Sequence, residues 1–297
     1  MKAAQEVRSN EAKEFKFTQH DFARVRELIH QRAGIALADS KREMVYSRLA
    51  RRLRATGIDS FAVYLDRLAE AGNEDEQTAF VNALTTNLTS FFREAHHFPI
   101  LADYLRAASA PVAIWCCASS TGEEPYSIAM TVCDAFGTLK PPARIVATDI
   151  DTNVLATAGD GVYPLDRIDK LTPEQKRRFF LKGTGPQQGL VRVRPELRQL
   201  VEFSSLNLLA PQWPLHGPFD VIFCRNVMIY FDKPTQAKIL ARFAPMLKPD
   251  GLLFAGHSEN FSYVSRDFRL RAKTVYQLVT PNPAARVHSV EPMMVPQ

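Results

Sequence analysis

The chain has 297 residues, 46% of them apolar and 23% charged, with a net charge of +5 and a pI near 9.0. That composition excludes a fibrous or fully disordered chain and leaves room for a sizeable core in two domains. No run is long enough to span a bilayer, the polar opening "MKAAQEVRSNEAKEFKF" has no apolar centre of a secretory leader, and the basic surplus favours an acidic partner without naming its class.

Residues 1–14 read as a loose polar leader. From Phe15 to about Ala83 the apolar spacing is helical. "FARVRELIHQRAG" sets Phe22, Val25 and Ile29 on one side and can end at Gly34. "DSKREMVYSRLARRLRATG" offers Asp39 and Ser40 as caps before Val45, Leu49 and Leu53. "SFAVYLDRLAEAG" and "EQTAFVNALTTNL" predict a third and a fourth helix. Residues 15–85 are therefore expected to form an all-helical domain.

Over residues 86–280 strands and helices alternate. The strand candidates are "VAIWCC", "RIVATDI", "LVEFSSL", "FDVIFCR" and "GLLFAGH", with helices between most of them. "KPTQAKILARFAPML" is one such helix, with Pro234 in its first turn. This is the pattern of an open, mostly parallel α/β sheet covered on both faces. "DFRLRAKTVYQLV" reads as one or two edge strands, and residues 281–297 as a disordered tail.

About fifty residues separate Asp149 from "LVEFSSL", more than a simple crossover needs. Within them "LTPEQKRRFFL" is a helix, with Thr172 as cap, Pro173 at its start and Gln175 closing a capping box. "KGTGPQQGLVRVRPELRQLVEF" follows, with turns at Gly183, Gly185 and Gly189 and an alternating stretch at Leu190–Arg194. A small antiparallel β-subdomain is expected at about residues 179–202, either decorative or presenting an edge to which a peptide strand can add.

Ligands of such sheets bind beyond the carboxyl ends of the strands. After the first strand stand Ser119, Ser120, Thr121, Gly122, Glu123 and Glu124, and after the second stands Asp149, placed to accept ribose hydroxyls. Asn207 follows the third strand, and Arg225, Asn226 and Tyr230 follow the fourth. No G-x-G-x-x-G spacing and no phosphate-loop lysine are present, and two glutamates at a helix start would repel a phosphate. A phosphate-free nucleoside with positive charge fits better, and S-adenosylmethionine is one. An acidic first turn is also an ordinary partner of the helix dipole.

The stretches "NALTTNLTSFFREAHHFP", "STGEEPYSIAM", "ATDID", "GTGPQQGLVRVR", "FCRNVMIYFDK" and "LLFAGHSENF" together resemble the chemoreceptor glutamate methyltransferases of bacterial chemotaxis, the CheR family, over residues 15–280. The resemblance implies a class I, Rossmann-like methyltransferase sheet domain with a small β-subdomain insertion and an N-terminal all-α domain. It implies transfer of a methyl group from S-adenosylmethionine to receptor glutamates, with S-adenosylhomocysteine as product. Carried onto matching positions, the cofactor shell is Asn87, Thr89, Arg93, Glu124, Asp149, Asn207, Leu208, Arg225 and Asn226, with Arg93 and Tyr230 as the catalytic pair. The partners implied are the helical bundles of methyl-accepting receptors and their C-terminal peptide. That peptide would dock around Gly183, Gly185, Gly189, Arg192 and Arg194. A monomeric cytoplasmic enzyme recruited to receptor arrays is expected, with neither nucleic-acid binding nor membrane insertion. One departure is Ala118, where many members carry glycine, so that turn is expected to be slightly reshaped.

On the second helix Arg48, Arg51 and Arg54 step by three, with Lys41, Arg42 and Arg52 near. They are either a solvated face or a cationic stripe that attracts acidic receptor helices. His96, His97 and His257 have no supporting ligand spacing and are expected to be structural, so no metal is expected. Trp115 and Trp213 are expected in the core. Cys116, Cys117, Cys133 and Cys224 form no C-x-x-C pair and are expected as reduced, buried thiols. The competing readings are methyl transfer to nucleic acid or another acidic protein, and a cofactor-sensing module without turnover. Against the first, "RNVMIY" lacks the Asn/Asp-Pro-Pro-aromatic grip on an exocyclic amine.

Overall fold

The computed structural model describes residues 14–108 and 111–279. The leader before Glu14 and the tail at residues 281–297, read as disordered, lie outside the described residues. Four helices open the fold: α1 (Gln19–Ala33), α2 (Arg42–Thr56), α3 (Phe61–Ala69) and α4 (Glu74–Leu84). A capping box starts α1: the Thr18 hydroxyl accepts from the Asp21 N–H, and the Asp21 carboxylate accepts from the Thr18 N–H. The expected caps of α2 do not form. Asp39–Lys41 makes a 3₁₀ turn whose carbonyls already take the incoming N–H groups, and Asp39 instead binds Arg26 at 2.7 Å. Val25, Ile29, Val45, Leu49, Leu53, Tyr64 and Phe80 are buried in one helical core.

The second unit continues through α5 (His97–Ala107), β1 (Val112–Cys116), α6 (Glu123–Phe136), β2 (Ala143–Asp149), α7 (Thr152–Asp160) and β3 (Val162–Pro164). Then come α8 (Pro173–Phe179), β4 (Phe180–Lys182), β5 (Leu190–Val193), α9 (Pro195–Arg198), β6 (Val201–Ser205) and β7 (Phe219–Cys224). It closes with α10 (Lys233–Phe243), β8 (Leu247–Ala255), β9 (Phe268–Ala272) and β10 (Val275–Leu278). Seven strands form one sheet in the order β6-β2-β1-β7-β8-β10-β9. β6, β2, β1, β7 and β8 run parallel, and β10 and β9 are antiparallel additions at one edge. Burial on both faces explains the nearly continuous apolar runs: all six residues of β7 are buried, the one charged member, Asp220, being paired with Lys248 at 2.8 Å. The chain reverses from β2–β6 to β7–β8 beside β1, so the crevice at the carboxyl ends of β1 and β7 is the switch point.

The small sheet has the order β3-β5-β4, all antiparallel. Two expectations change here. The subdomain takes its first strand from Val162–Pro164, well before residue 179. The alternating stretch at Leu190–Val193 is the central strand, paired on both sides, so it offers no free edge. The capping box of Thr172 and Gln175 on α8 is present as expected.

The two units are stitched together tightly. Asn207 Nδ2 donates to the Arg32 carbonyl at 2.6 Å, the Ala36 N–H donates to the Tyr230 carbonyl at 2.8 Å, and Asn82 Nδ2 donates to Thr152 Oγ1 at 2.9 Å. Gly34 ends α1 at φ 69°, and a Cβ there would lie 2.7 Å from Leu209 Cδ1. Replacing Gly34 by Ala combines a left-handed penalty with that clash. Urea unfolding is expected to show a loss of about 2 kcal/mol; an unchanged midpoint and slope would show that the junction yields freely.

Candidate active site

A cavity of about 340 Å³ opens at the switch point, between the helical unit and the carboxyl ends of the strands. Asn87, Thr89, Arg93, Glu124, Asp149, Asn207, Leu208, Arg225, Asn226 and Tyr230 all line it. The wall contributed by the helical unit was not foreseen: Ala33, Ile35, Ala36, Leu37, Ala38, Lys41 and Met44 also face the space. Their only sequence signal was an apolar stretch between two helices.

The turn after β1 needs positive φ at Ser120 (48°) and Gly122 (98°), not at Ala118. The missing glycine therefore costs nothing in backbone freedom, and the expected reshaping has no cause in φ. A Cβ on Gly122 would lie 2.7 Å from the Tyr163 hydroxyl, which donates to the Thr121 carbonyl at 2.7 Å. The two glutamates behind the turn part company. Glu123 is fully buried, turned away from the cavity, and held by Arg167 and by Thr121 Oγ1 at 2.6 Å. Only Glu124 reaches the cavity.

Arg225 organises the floor. Its side chain is wholly buried. It donates to Glu124 Oε2 and, at 2.6 Å, to the Arg93 carbonyl, and it lies 3.4 Å from Glu94 Oε2. Glu94 also accepts from Asn226 Nδ2 at 3.2 Å, from the His257 N–H at 3.2 Å, and contacts His257 Nδ1 at 3.1 Å. Burial alone would push Glu94 up, but the Arg225 guanidinium and the His257 hydrogen bonds outweigh it and hold the carboxyl at about 2. Burial pushes Glu124 upward, and Arg225 opposes it. Glu94 was not singled out in the sequence, because all these partners lie more than a hundred residues away.

Asp149 stands at the end of β2, accepting from the Ser120 N–H at 2.8 Å and the Asp151 N–H at 2.9 Å, with its pKa raised by burial. Ile150, Leu206 and Leu208 supply apolar wall beside it. A carboxylate for ribose hydroxyls next to an apolar slot suits a nucleoside. The amide nitrogens of Asn87 and Asn207 are already engaged, Asn87 with Asp151 at 2.8 Å and Asn207 with the Arg32 carbonyl at 2.6 Å. Arg93 is half-buried, with one amino group held by the Leu88 carbonyl at 2.6 Å. The Tyr230 ring packs on the helical core, and none of the described hydrogen bonds uses its hydroxyl.

The other expected residues lie elsewhere. One amino group of Arg48 closes the end of α4, on the carbonyls of Ala83 at 3.3 Å and Thr85 at 2.5 Å. Arg51 and Arg54 are exposed, and Arg54 shares Glu14 at 2.7 Å. Gly183, Gly185 and Gly189 form the turn between β4 and β5. Arg192 is exposed on the central strand, and Arg194 donates to the Arg177 carbonyl at 3.3 Å. Glu94, His96 and His97 place ligand atoms within 4.8 Å of one another, an acid that the reading of the histidines overlooked. Arg225 already engages that carboxylate, burial pushes His97 down to about 3, and His97 Nε2 bonds Thr274 Oγ1 at 2.8 Å. All four cysteines are buried free thiols, Cys116 donating to Glu124 at 3.3 Å, and Trp115 and Trp213 pack in the sheet core.

Residues 20–85 match the family model described as CheR methyltransferase, all-alpha domain, and residues 87–277 match the one described as CheR methyltransferase, SAM binding domain. A chemotaxis protein methyltransferase of Salmonella typhimurium is 60% identical over 257 residues, covering 86% of this chain and 89% of the relative. One of Klebsiella aerogenes is 61% identical, covering 86% and 89%. Chemotaxis protein methyltransferase 2 of Pseudomonas aeruginosa is 56% identical, covering 89% and 94%.

A carboxyl depressed in the folded state stabilises the protein above its unfolded pKa and loses that contribution as pH falls through its folded pKa. For Glu94 the window runs from about 4.5 down to about 2. Wild type is expected to exceed Glu94→Gln by about 2 kcal/mol at pH 7, after allowance for solvent screening. The gap should shrink as pH drops below 4.5; a pH-independent gap in urea unfolding would show that the carboxyl's charge is not what Arg225 needs.

Proposed function

The chain belongs to the CheR methyltransferase family, and from that premise we propose that it methylates glutamate side chains of methyl-accepting chemoreceptors. It is an S-adenosylmethionine-dependent chemotaxis methyltransferase; the carboxylate acceptor is the finer reading. What carries that reading is that Arg93 and Tyr230 line the same cavity as Asp149 and Glu124. The nucleic-acid alternative has no support in the family match.

S-adenosylmethionine, when bound, supplies a methyl group activated on sulfonium. Asp149 would hold the ribose, the apolar wall the base, and Glu124 the ammonium. An exposed glutamate has a pKa of about 4.3 and reaches the cavity already as a nucleophile, so no side chain need act as a base. The protein's task is alignment. Arg93 has spare N–H groups to seat the entering carboxylate, while the Leu88 carbonyl keeps the guanidinium from swinging. A tighter clamp would slow transfer, because the carboxylate loses charge in the transition state. The Tyr230 hydroxyl is free to donate the second positioning hydrogen bond.

The helical unit would meet the acidic receptor bundle through exposed Arg51 and Arg54, which raise the encounter rate. The receptor's C-terminal peptide would add to the small sheet at the outer edge of β4, beside exposed Leu181 and the Gly183–Gly189 turn, since β5 is paired on both sides. Tethering of that kind raises the local concentration of enzyme. Each ester formed removes one negative charge from the receptor helix and relieves repulsion along its surface.

Arg93→Ala is expected to lower methyl transfer to receptor about a hundredfold and Tyr230→Phe about tenfold, with cofactor affinity within about threefold. Wild-type rates in both variants would refute the carboxylate-seating roles. Reversing Arg51 and Arg54 to Glu should cut kcat/KM on receptor about tenfold at low salt and little at high salt; a salt-independent loss would point to local unfolding instead.

A further inference from the structure

We propose that Glu94, acting through Arg225, sets the charge of the cavity floor so that the site distinguishes the sulfonium donor from its neutral thioether product. The inference rests on the S-adenosylmethionine reading and assigns a specificity-determining role to a residue that does not line the cavity.

One buried guanidinium lies between two carboxylates. Arg225 donates to Glu124 on the cavity side and sits 3.4 Å from Glu94 behind it. Both acids are only slightly exposed to water, their side chains 9% and 10% exposed, and that of Arg225 is 0%. One positive and two negative charges leave the group net negative. Glu94 draws on the Arg225 charge, so Glu124 keeps part of its own charge for whatever occupies the cavity. Without the Glu94 charge, Arg225 and Glu124 would neutralise each other. In a poorly screened site one unit of charge acts at long range. The other charged groups facing the cavity are Lys41, Arg93 and Asp149, and each keeps its own charge in the variants compared below.

The backbone is built to hold Glu94 there. Phe92, Glu94 and Asn226 all adopt positive φ, at 51°, 55° and 59°. Such conformations persist only where surrounding bonds over-determine them. Ser127 Oγ accepts from the Phe92 N–H at 2.9 Å and Glu259 Oε2 from the Asn226 N–H at 3.0 Å, while the Glu94 carboxylate takes Asn226 Nδ2 and the His257 N–H. The same turn delivers Arg93 to the cavity and its carbonyl to Arg225.

The two ligands differ by one charge. The donor carries sulfonium, ammonium and carboxylate and is net positive; the product has lost the sulfonium charge and is neutral. A net-negative floor therefore favours the donor specifically, whereas a purely structural strut would serve both alike.

The test is titration calorimetry of the full chain with S-adenosylmethionine and S-adenosylhomocysteine, on wild type, Glu94→Gln and Glu94→Asp. Glu94→Gln should weaken the donor about tenfold and the product no more than about threefold, whereas Glu94→Asp should keep the wild-type ratio within about twofold. If Glu94→Gln is too unstable for calorimetry, the melting-temperature increments given by each ligand read the same ratio. Should it not fold at all, Glu94→Met, uncharged and of equal length, replaces it. Equal losses for both ligands, or no loss, would overturn the proposal. Wild type binding neither ligand would instead overturn the cofactor reading.

Discussion

The site depends on a single buried guanidinium. Arg225 leaves the end of β7 and reaches three places at once: the first turn of α6 at Glu124, the carbonyl of Arg93, and the carboxylate of Glu94. Breaking a buried ion pair by removing one partner typically costs about 3–5 kcal/mol, because the remaining charge is left without water. Arg225 therefore fixes the distance between the strand that carries Tyr230 onward and the turn that presents Arg93. Without it, Arg93 and Tyr230 would be tied together only through the weaker contacts of Glu94 with Asn226 and His257.

A second constraint is the junction with the helical unit. The Arg32 carbonyl, Gly34 and Ala36 meet Asn207, Leu209, Phe231 and Tyr230, so the roof of the cavity and its floor are registered against each other. From the far side, Thr85 and Asn87 both bind the Asp151 carboxylate, which also caps α7. Asp149 and Asp151 thus divide the labour of "ATDID", one facing the cavity and the other bracing the wall. The expectation that two adjacent glutamates tune the site for a cation is replaced by a different pair, Glu94 and Glu124, brought together around one arginine.

Much of this was legible in the amino-acid order because the physics there is local. Strands buried on both faces are mostly apolar, so β1, β2 and β7 announced themselves, and the acids and amides at or just past their ends fell at the cavity. What escaped was set by distant partners. β3 has three residues and no pattern until β5 lies beside it. Arg48 looks like any helix-face cation until the carbonyls of α4 arrive. Nothing in the sequence around Glu94 marks it out, and only the approach of Arg225, Asn226 and His257 makes it a hub. Ala118 shows the converse: the sequence raised a doubt that the backbone dihedrals remove.

The bond that is made, a carboxyl methyl ester, is the decisive observable. Purified protein incubated with methyl-labelled S-adenosylmethionine and receptor-bearing membranes should place label on the receptor, and mild base should release it as methanol, as a carboxyl ester requires. Replacing the accepting glutamates of the receptor by alanine should abolish it. Label that resists base, or that appears on nucleic acid in preference to receptor, would contradict the account.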